Sequence, residues 1–150
     1  MNQMKNQLKV YVACALTYVP SDQKILFTSL LNEVKVELRG KGFVVIDFLS
    51  SIKENPESKE VYNFDLKCLK DADCMLALGD YPGTGLGYEI CYTTELRKIP
   101  TIVGVRNSDN ISKLLRGVSQ DNYQLSVFDK PHELIESFIS FVNKFYEKSN

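Results

Sequence analysis

Several chemistries are closed to this chain by what it holds too little of. A single histidine, His132, leaves one candidate base for any Ser-His or Cys-His pair in 150 residues. The four cysteines, Cys14, Cys68, Cys74 and Cys91, never fall in a CxxC pair, and with one histidine they give too few ligands at usable spacings for zinc. They read as reduced core thiols. No apolar run approaches the roughly 20 residues of a membrane-spanning helix, and Met1 to Gln7 lacks the apolar stretch of a signal peptide, so the expectation is a cytoplasmic protein with no membrane partner. Charge of one sign is scarce too. Eighteen Lys and Arg against 19 Asp and Glu leave a net charge of −1, with no broad positive field to attract a nucleic acid polymer. An anionic ligand must be held locally.

What is present is ordinary in bulk, 44% hydrophobic and 25% charged, which excludes disordered and fibrous chains. The length predicts one domain over 1–150. Lys9 to Leu16 reads as a strand covered on both faces, followed by a helix capped by Ser21 or Asp22, with Leu26, Leu30, Val34 and Leu38 inward. Phe43 to Phe48 is a second strand, Ser50 to Ser58 a loop, Glu60 to Lys70 a helix and Cys74 to Leu78 a third strand. A glycine-rich loop, Gly79 to Gly87, leads into a helix from about Tyr88 to Lys98. A strand at Thr101 to Val105, a short helix near Ile111 to Leu115, a strand at Leu125 to Phe128 and an amphipathic helix from Pro131 to Glu147 follow. Strands alternating with helices predict a doubly wound α/β fold of flavodoxin or Rossmann type, a five-stranded parallel sheet with helices on both faces. Ligands of such sheets bind beyond the carboxyl ends of the strands, which brings the loops after Leu16 and Leu78 side by side.

The loop Gly79 to Gly87 is neither a dinucleotide fingerprint nor a Walker loop: its glycines fall at Gly83, Gly85 and Gly87, and no Lys-Ser or Lys-Thr ends it. It is either a structural turn or an anion cradle at a helix N-terminus. Glu89, read as a first-turn residue, is expected to be held ionised by the helix dipole, where it either improves the helix start or serves as a nucleophile. Asp65, among apolar neighbours, is either an ion-pair partner of Lys67 or Lys70 or a pocket carboxyl that donates a proton. Tyr11 is either a core aromatic or a hydroxyl reaching the strand's carboxyl end.

In order and spacing, Val10-Tyr11, Asp65-Leu66, Ala72-Asp73 and Gly85-Leu86-Gly87-Tyr88-Glu89 resemble the nucleoside 2-deoxyribosyltransferase family over about Lys9 to Tyr146. Ser112-Lys113-Leu114-Leu115-Arg116-Gly117 is similar to a segment of its 2'-deoxynucleoside 5'-monophosphate N-glycosidases. The resemblance implies cleavage of the bond between a nucleobase and C1' of 2-deoxyribose. Glu89 would attack C1', Asp65 would assist departure of the base, and Tyr11 would hold the nucleophile. Ser112 would reach the 5'-phosphate bound by the neighbouring subunit of a homodimer or higher homo-oligomer, with Tyr92 and Leu96 also at the contact. Two carboxyl groups and a hydroxyl suffice for a deoxyribosyl cation, so neither a metal nor an organic cofactor is expected.

The departures are specific. Gly83 stands where the transferases carry aspartate and the monophosphate hydrolases serine, and the loop from Cys14 to Pro20 lacks the hydrolases' Ser and Arg. Thr17, Tyr18, Thr84 and backbone NH groups, among them those of Gly83, Gly85 and Gly87, are left to bind a nucleotide or nucleoside. The charged tail Glu147 to Asn150 differs from the transferases' C-terminal segment and favours hydrolysis. A transferase, a nucleotide-binding module without catalysis and, from the partial likeness of Pro82-Gly83-Thr84-Gly85, a ribonucleotide phosphoribohydrolase are the alternatives.

Overall fold

The computed structural model of the protein describes residues 7–46 and 55–149. Its five strands, β1 (Lys9–Cys14), β2 (Val44–Ile46), β3 (Cys74–Leu78), β4 (Thr101–Val105) and β5 (Tyr123–Val127), form one parallel sheet in the order β2-β1-β3-β4-β5. Chain order reverses between β1 and β3, so the loops leaving them diverge there and open a crevice at the carboxyl edge. The predicted class and crevice both hold. The last residues of the expected second strand, Asp47 and Phe48, and the first part of the expected loop lie outside the described residues.

Alternation along the strands sorts the core into two layers. Val10, Val12, Leu76, Leu78 and Ile102 face α1 (Lys24–Gly40) and the long C-terminal helix. Tyr11, Ala13, Met75, Ala77 and Val103 face α2 (Ser58–Asp71) and α3 (Thr84–Cys91). After α3 the chain continues as a π-helical stretch, Tyr92–Arg97, closed by Lys98 in the left-handed conformation. Beyond β4 come a 3₁₀ turn, Ser108–Asn110, and the short α4 (Lys113–Arg116). The last helix, α5 (Pro131–Lys148), buries Leu134, Ile135, Phe138 and Val142 as expected, with Phe145 half-buried.

Three local expectations are corrected. Gln23, not Ser21 or Asp22, precedes α1, and no side chain caps it. The buried stripe of α1 is Phe27, Leu31, Val34, Lys35 and Leu38, whereas Leu26 is exposed. The larger correction is at the glycine-rich segment, where the helix begins at Thr84, so that Gly85 and Gly87 lie inside it. Each glycine costs about 1 kcal/mol in a helix interior. Burial of Leu86 and Ile90 one turn apart offsets that cost, which is why the segment is helical despite its composition. No disulfide forms among the four cysteines; the core-thiol reading holds for the buried Cys68 and Cys74, whereas Cys14 is half-buried and Cys91 exposed. Among the described residues no helix is long and apolar enough to cross a membrane.

Gly83 precedes α3 in extended conformation, so its glycine is required by space and not by backbone angle. A β-carbon there would stand 2.7 Å from Cβ of Ala15 in the loop after β1. This contact clamps the two crevice loops together and leaves no room for a side chain at position 83. Gly83→Ala is expected to cost about 1–3 kcal/mol by forcing the loops apart, and pairing it with Ala15→Gly should recover most of the loss. Urea unfolding of the three variants checks this; additive losses would contradict it.

Candidate active site

The crevice is built from one side chain on each of three elements. Tyr11 lies on β1 with its ring buried toward α2 and α3. Asp65 precedes the buried Cys68 and Leu69 by one turn of α2 and so sits at the edge of that helix's inward stripe. Glu89 is flanked on α3 by the buried Leu86 and Ile90, which turn it toward the sheet. The Tyr11 hydroxyl donates to Oε1 of Glu89 at 2.7 Å and lies 3.3 Å from Oδ1 of Asp65. Thus the three residues singled out from sequence meet at one point. The carboxylate oxygens are then no more than about 6 Å apart, because both touch the same hydroxyl.

The remaining supports fix these elements relative to one another. Arg97, at the end of the π-helical stretch, donates to the carbonyls of Leu69, Lys70 and Ala72 and so ties the helix of Glu89 to the C-terminus of the helix of Asp65. The Thr93 hydroxyl, one turn after Glu89, lies in the buried layer 3.1 Å from both the Glu89 carbonyl and the Met75 sulfur, with one proton to give to either. Asp80, buried at the end of β3, accepts from the backbone NH and Nε of Arg106 at 2.7 and 3.1 Å and anchors the segment leading to Gly83. Sequence reasoning passed over Arg97, Asp80 and Arg106; an aspartate directly after an apolar strand was the available signal for Asp80. Ala72-Asp73 serves the opposite edge of the sheet, where the Asp73 carboxylate accepts from the backbone NH of Lys9.

Electrostatics overturn one expectation. Glu89 is the sixth residue of α3, beyond the first turn, where the helix dipole has faded. Burial pushes its carboxyl up to about 7, opposed by the Tyr11 hydrogen bond and reinforced by the Asp65 charge. Burial likewise raises Asp65, again against the Tyr11 hydrogen bond. The Tyr11 phenol is driven far above its ordinary value by burial and by the two carboxylates, so it remains a neutral donor. Near neutral pH, Glu89 is therefore poised between anion and acid rather than locked as an anion.

A cavity of about 500 Å³ opens in front of these groups, a size that suits a small-molecule ligand. Thr17, Gly83, Thr84 and Gly85 line it. Gly87 and Ser112 do not. They line a neighbouring, mostly apolar groove of about 550 Å³ between α3 and α4, where the Ser112 hydroxyl caps α4 by accepting from the NH of Leu115 at 3.3 Å. His132 is exposed at the start of α5 and lines neither cavity. Among the described residues no cluster of three or more His, Cys, Asp or Glu could hold a metal ion.

Parallel sheet, switch-point crevice and paired carboxyl groups define an α/β protein with two carboxyl groups facing a small-molecule-sized cavity. Comparisons with known proteins place it in a family. No family model matches the chain. It is 28% identical over 142 residues, 90% of its length and 95% of the relative's, to a protein of Thermofilum pendens provisionally named 2'-deoxynucleoside 5'-phosphate N-hydrolase 1. It is 33% identical over 86 residues to a protein of the same provisional name from Methanococcoides burtonii, covering 53% of this chain and 70% of that one. Among solved structures, a CMP N-glycosidase of Clostridium botulinum superposes with a TM-score of 0.67 at 18% identity, covering 89% of this chain and 98% of that one. A 2-deoxyribosyltransferase from Leishmania mexicana gives 0.58 at 16%, covering 89% and 97%. The chain belongs to the nucleoside 2-deoxyribosyltransferase family, on the branch of the 2'-deoxynucleoside 5'-phosphate N-hydrolases.

The raised Glu89 pKa has a sign for stability. Between the ordinary carboxyl value of 4.5 and about 7 the folded chain binds more protons than the unfolded one, so rising pH destabilises it across that window. Glu89→Gln should accordingly be more stable than wild type at pH 8, by on the order of 2–3 kcal/mol, and no more stable at pH 4. Urea unfolding at the two pH values decides; an equal difference at both would contradict the buried-carboxyl account.

Proposed function

We propose that the protein hydrolyses the N-glycosidic bond of a 2'-deoxyribonucleoside 5'-monophosphate, with Glu89 as nucleophile, Asp65 as proton donor and Tyr11 as the positioning hydroxyl. The observation that carries this reading is the single Tyr11 hydroxyl in contact with both carboxyl groups at the floor of a nucleotide-sized cavity. A separation of no more than about 6 Å suits a retaining, two-step glycosidase, whose carboxyl groups stand about 5 Å apart, better than an inverting one, which leaves room for water between them.

In the first step an oxygen of the Glu89 carboxylate forms a bond to C1' while the bond from C1' to the base nitrogen breaks. The electron pair leaves with the base, which takes the proton of Asp65. In the second, water attacks C1', its proton passes to the Asp65 carboxylate, and the ester bond breaks to return the Glu89 carboxylate. The proton is assigned to Asp65 and the anion to Glu89 on geometry: Tyr11, unable to ionise, holds Glu89 by its shorter bond, which favours the Glu89 carboxylate. These steps use only carboxyl groups, a hydroxyl and water. The 5'-phosphate is assigned to the first-turn NH groups of α3 with Thr17 and Thr84.

The active unit in this reading is a homodimer. Ser112 lies outside its own chain's Glu89 cavity, and the groove it lines is bordered by Leu86, Ile90, Leu115 and the strongly exposed Leu114; Leu96, next in sequence to the groove residue Glu95, is strongly exposed as well. A two-fold contact over that surface covers the apolar groups and brings Ser112 to the neighbouring phosphate end. Four cysteines without a disulfide suit the reducing cytoplasm, where we place the enzyme.

Incubation with 2'-deoxynucleosides, their 5'-monophosphates and CMP, with and without a second base, followed by separation of products, tests the reading. Base release from a deoxynucleoside monophosphate without an acceptor is expected. Glu89→Ala should lower it by roughly 10³-fold or more, and Asp65→Asn by about 10²–10⁴-fold. Transfer only when a second base is present would favour the transferase, and full turnover by Glu89→Ala would end the nucleophile assignment.

A further inference from the structure

The cavity at Glu89 is asymmetric. Gly83, Thr84 and Gly85 form one wall, on the β3 side of β1, where Gly83 abuts Ala15. Leu31 and Lys35 form part of the opposite wall and belong to α1, which packs on the other face of the sheet and leads across to β2, with Val61 of α2 nearby. A nucleotide presents phosphate, sugar and base in a fixed order, with C1' at the junction of sugar and base. With C1' at Glu89 and phosphate against the start of α3, the base falls toward Leu31, Val61 and Lys35. This placement rests on the function proposed above.

Lys35 is anomalous there. It occupies the inward stripe of α1, next to Val34 and one turn from Leu31 and Leu38, and only 5% of it is exposed. A lysine so covered is rare unless its ammonium has work within the protein. Among the described residues lining the cavity it is the one lysine or arginine, facing a site whose other ionisable side chains include the carboxyl groups of Asp65 and Glu89 and the phenols of Tyr11 and Tyr18. An ammonium has three donors and no acceptor, so a bond inside the protein still leaves it able to donate to a ligand.

We propose that Lys35 is a specificity-determining residue that donates a hydrogen bond to an oxo group on the edge of the base remote from the sugar. A 6-oxopurine or 4-oxopyrimidine offers an acceptor at that edge. A 6-aminopurine or 4-aminopyrimidine presents an amine, a donor facing a donor. The site therefore selects oxo over amino bases, independently of whether the ring is a purine or a pyrimidine.

The pairs dIMP with dAMP and dUMP with dCMP each differ by that group and by the proton on the adjacent ring nitrogen, and by nearly nothing in size. Kd values for all four are measured by equilibrium dialysis on the Glu89→Gln protein, and kcat/KM on the enzyme with Glu89 intact. The oxo member of each pair is expected to bind more tightly, and Lys35→Met should shrink both oxo-to-amino ratios by about tenfold to a hundredfold, the loss of one charge-assisted hydrogen bond. If Lys35→Met fails to fold, Lys35→Gln, whose amide offers an acceptor as well as a donor, should flatten the ratios in the same way. Ratios unchanged by these substitutions, or an equal loss for all four nucleotides, would overturn the proposal. Absence of base release from every nucleotide would instead refute the hydrolase reading, while the dialysis ratios would still report on Lys35.

Discussion

The site depends on one phenolic proton facing two carboxyl groups in a place that water reaches poorly. Tyr11 can donate only once, and its bond to Glu89 is the shorter. The same burial that makes that bond strong makes each charge expensive, which is why both carboxyl groups rise in pKa while the phenol becomes harder to ionise. The shorter bond from Tyr11 is what distinguishes Glu89 from Asp65 at this point.

That geometry is a product of the fold more than of any loop. Tyr11 is fixed by the alternation of a central strand, Asp65 by the inward edge of α2, and Glu89 by the helix that begins at the switch point. Arg97 closes the arrangement by binding three carbonyls at the end of α2, and it does so from a π-helical turn that follows directly on the helix of Glu89. π-helical insertions recur near functional sites because they re-aim side chains. Here the wider turn carries Thr93 into the buried layer and Arg97 to α2.

Much of this was legible in the residues. Apolar runs gave the strands, their alternation with helices gave a parallel sheet, and Tyr11, Asp65 and Glu89 were marked by their context before their contact was visible. The start of α3 was not legible, because glycine-rich composition argues for a loop and only burial of Leu86 and Ile90 reverses it. Misplacing that start moved Glu89 into the first turn and changed the reason assigned to its charge state. Lys35 was missed for a related reason: a stripe through Leu26 and Leu30 leaves it outside, whereas the true stripe through Phe27 and Leu31 places it in the core. A lysine interrupting an otherwise apolar helical face was the signal. Ser112 and Gly87 show the converse, residues whose motif is readable but which line the groove beside the cavity and not the cavity itself, because the helical start of α3 turns Gly87 away from it.

The account stands or falls on the protonation of Glu89. Side-chain carboxyl carbon shifts followed by NMR through a pH titration, in wild type and in Tyr11→Phe, measure it directly. The account predicts a midpoint near 7 for Glu89 in wild type, where the hydrogen bond from Tyr11 lowers it, and a higher one once that hydroxyl is removed. A wild-type midpoint near the ordinary 4.5, unmoved by Tyr11→Phe, would contradict it.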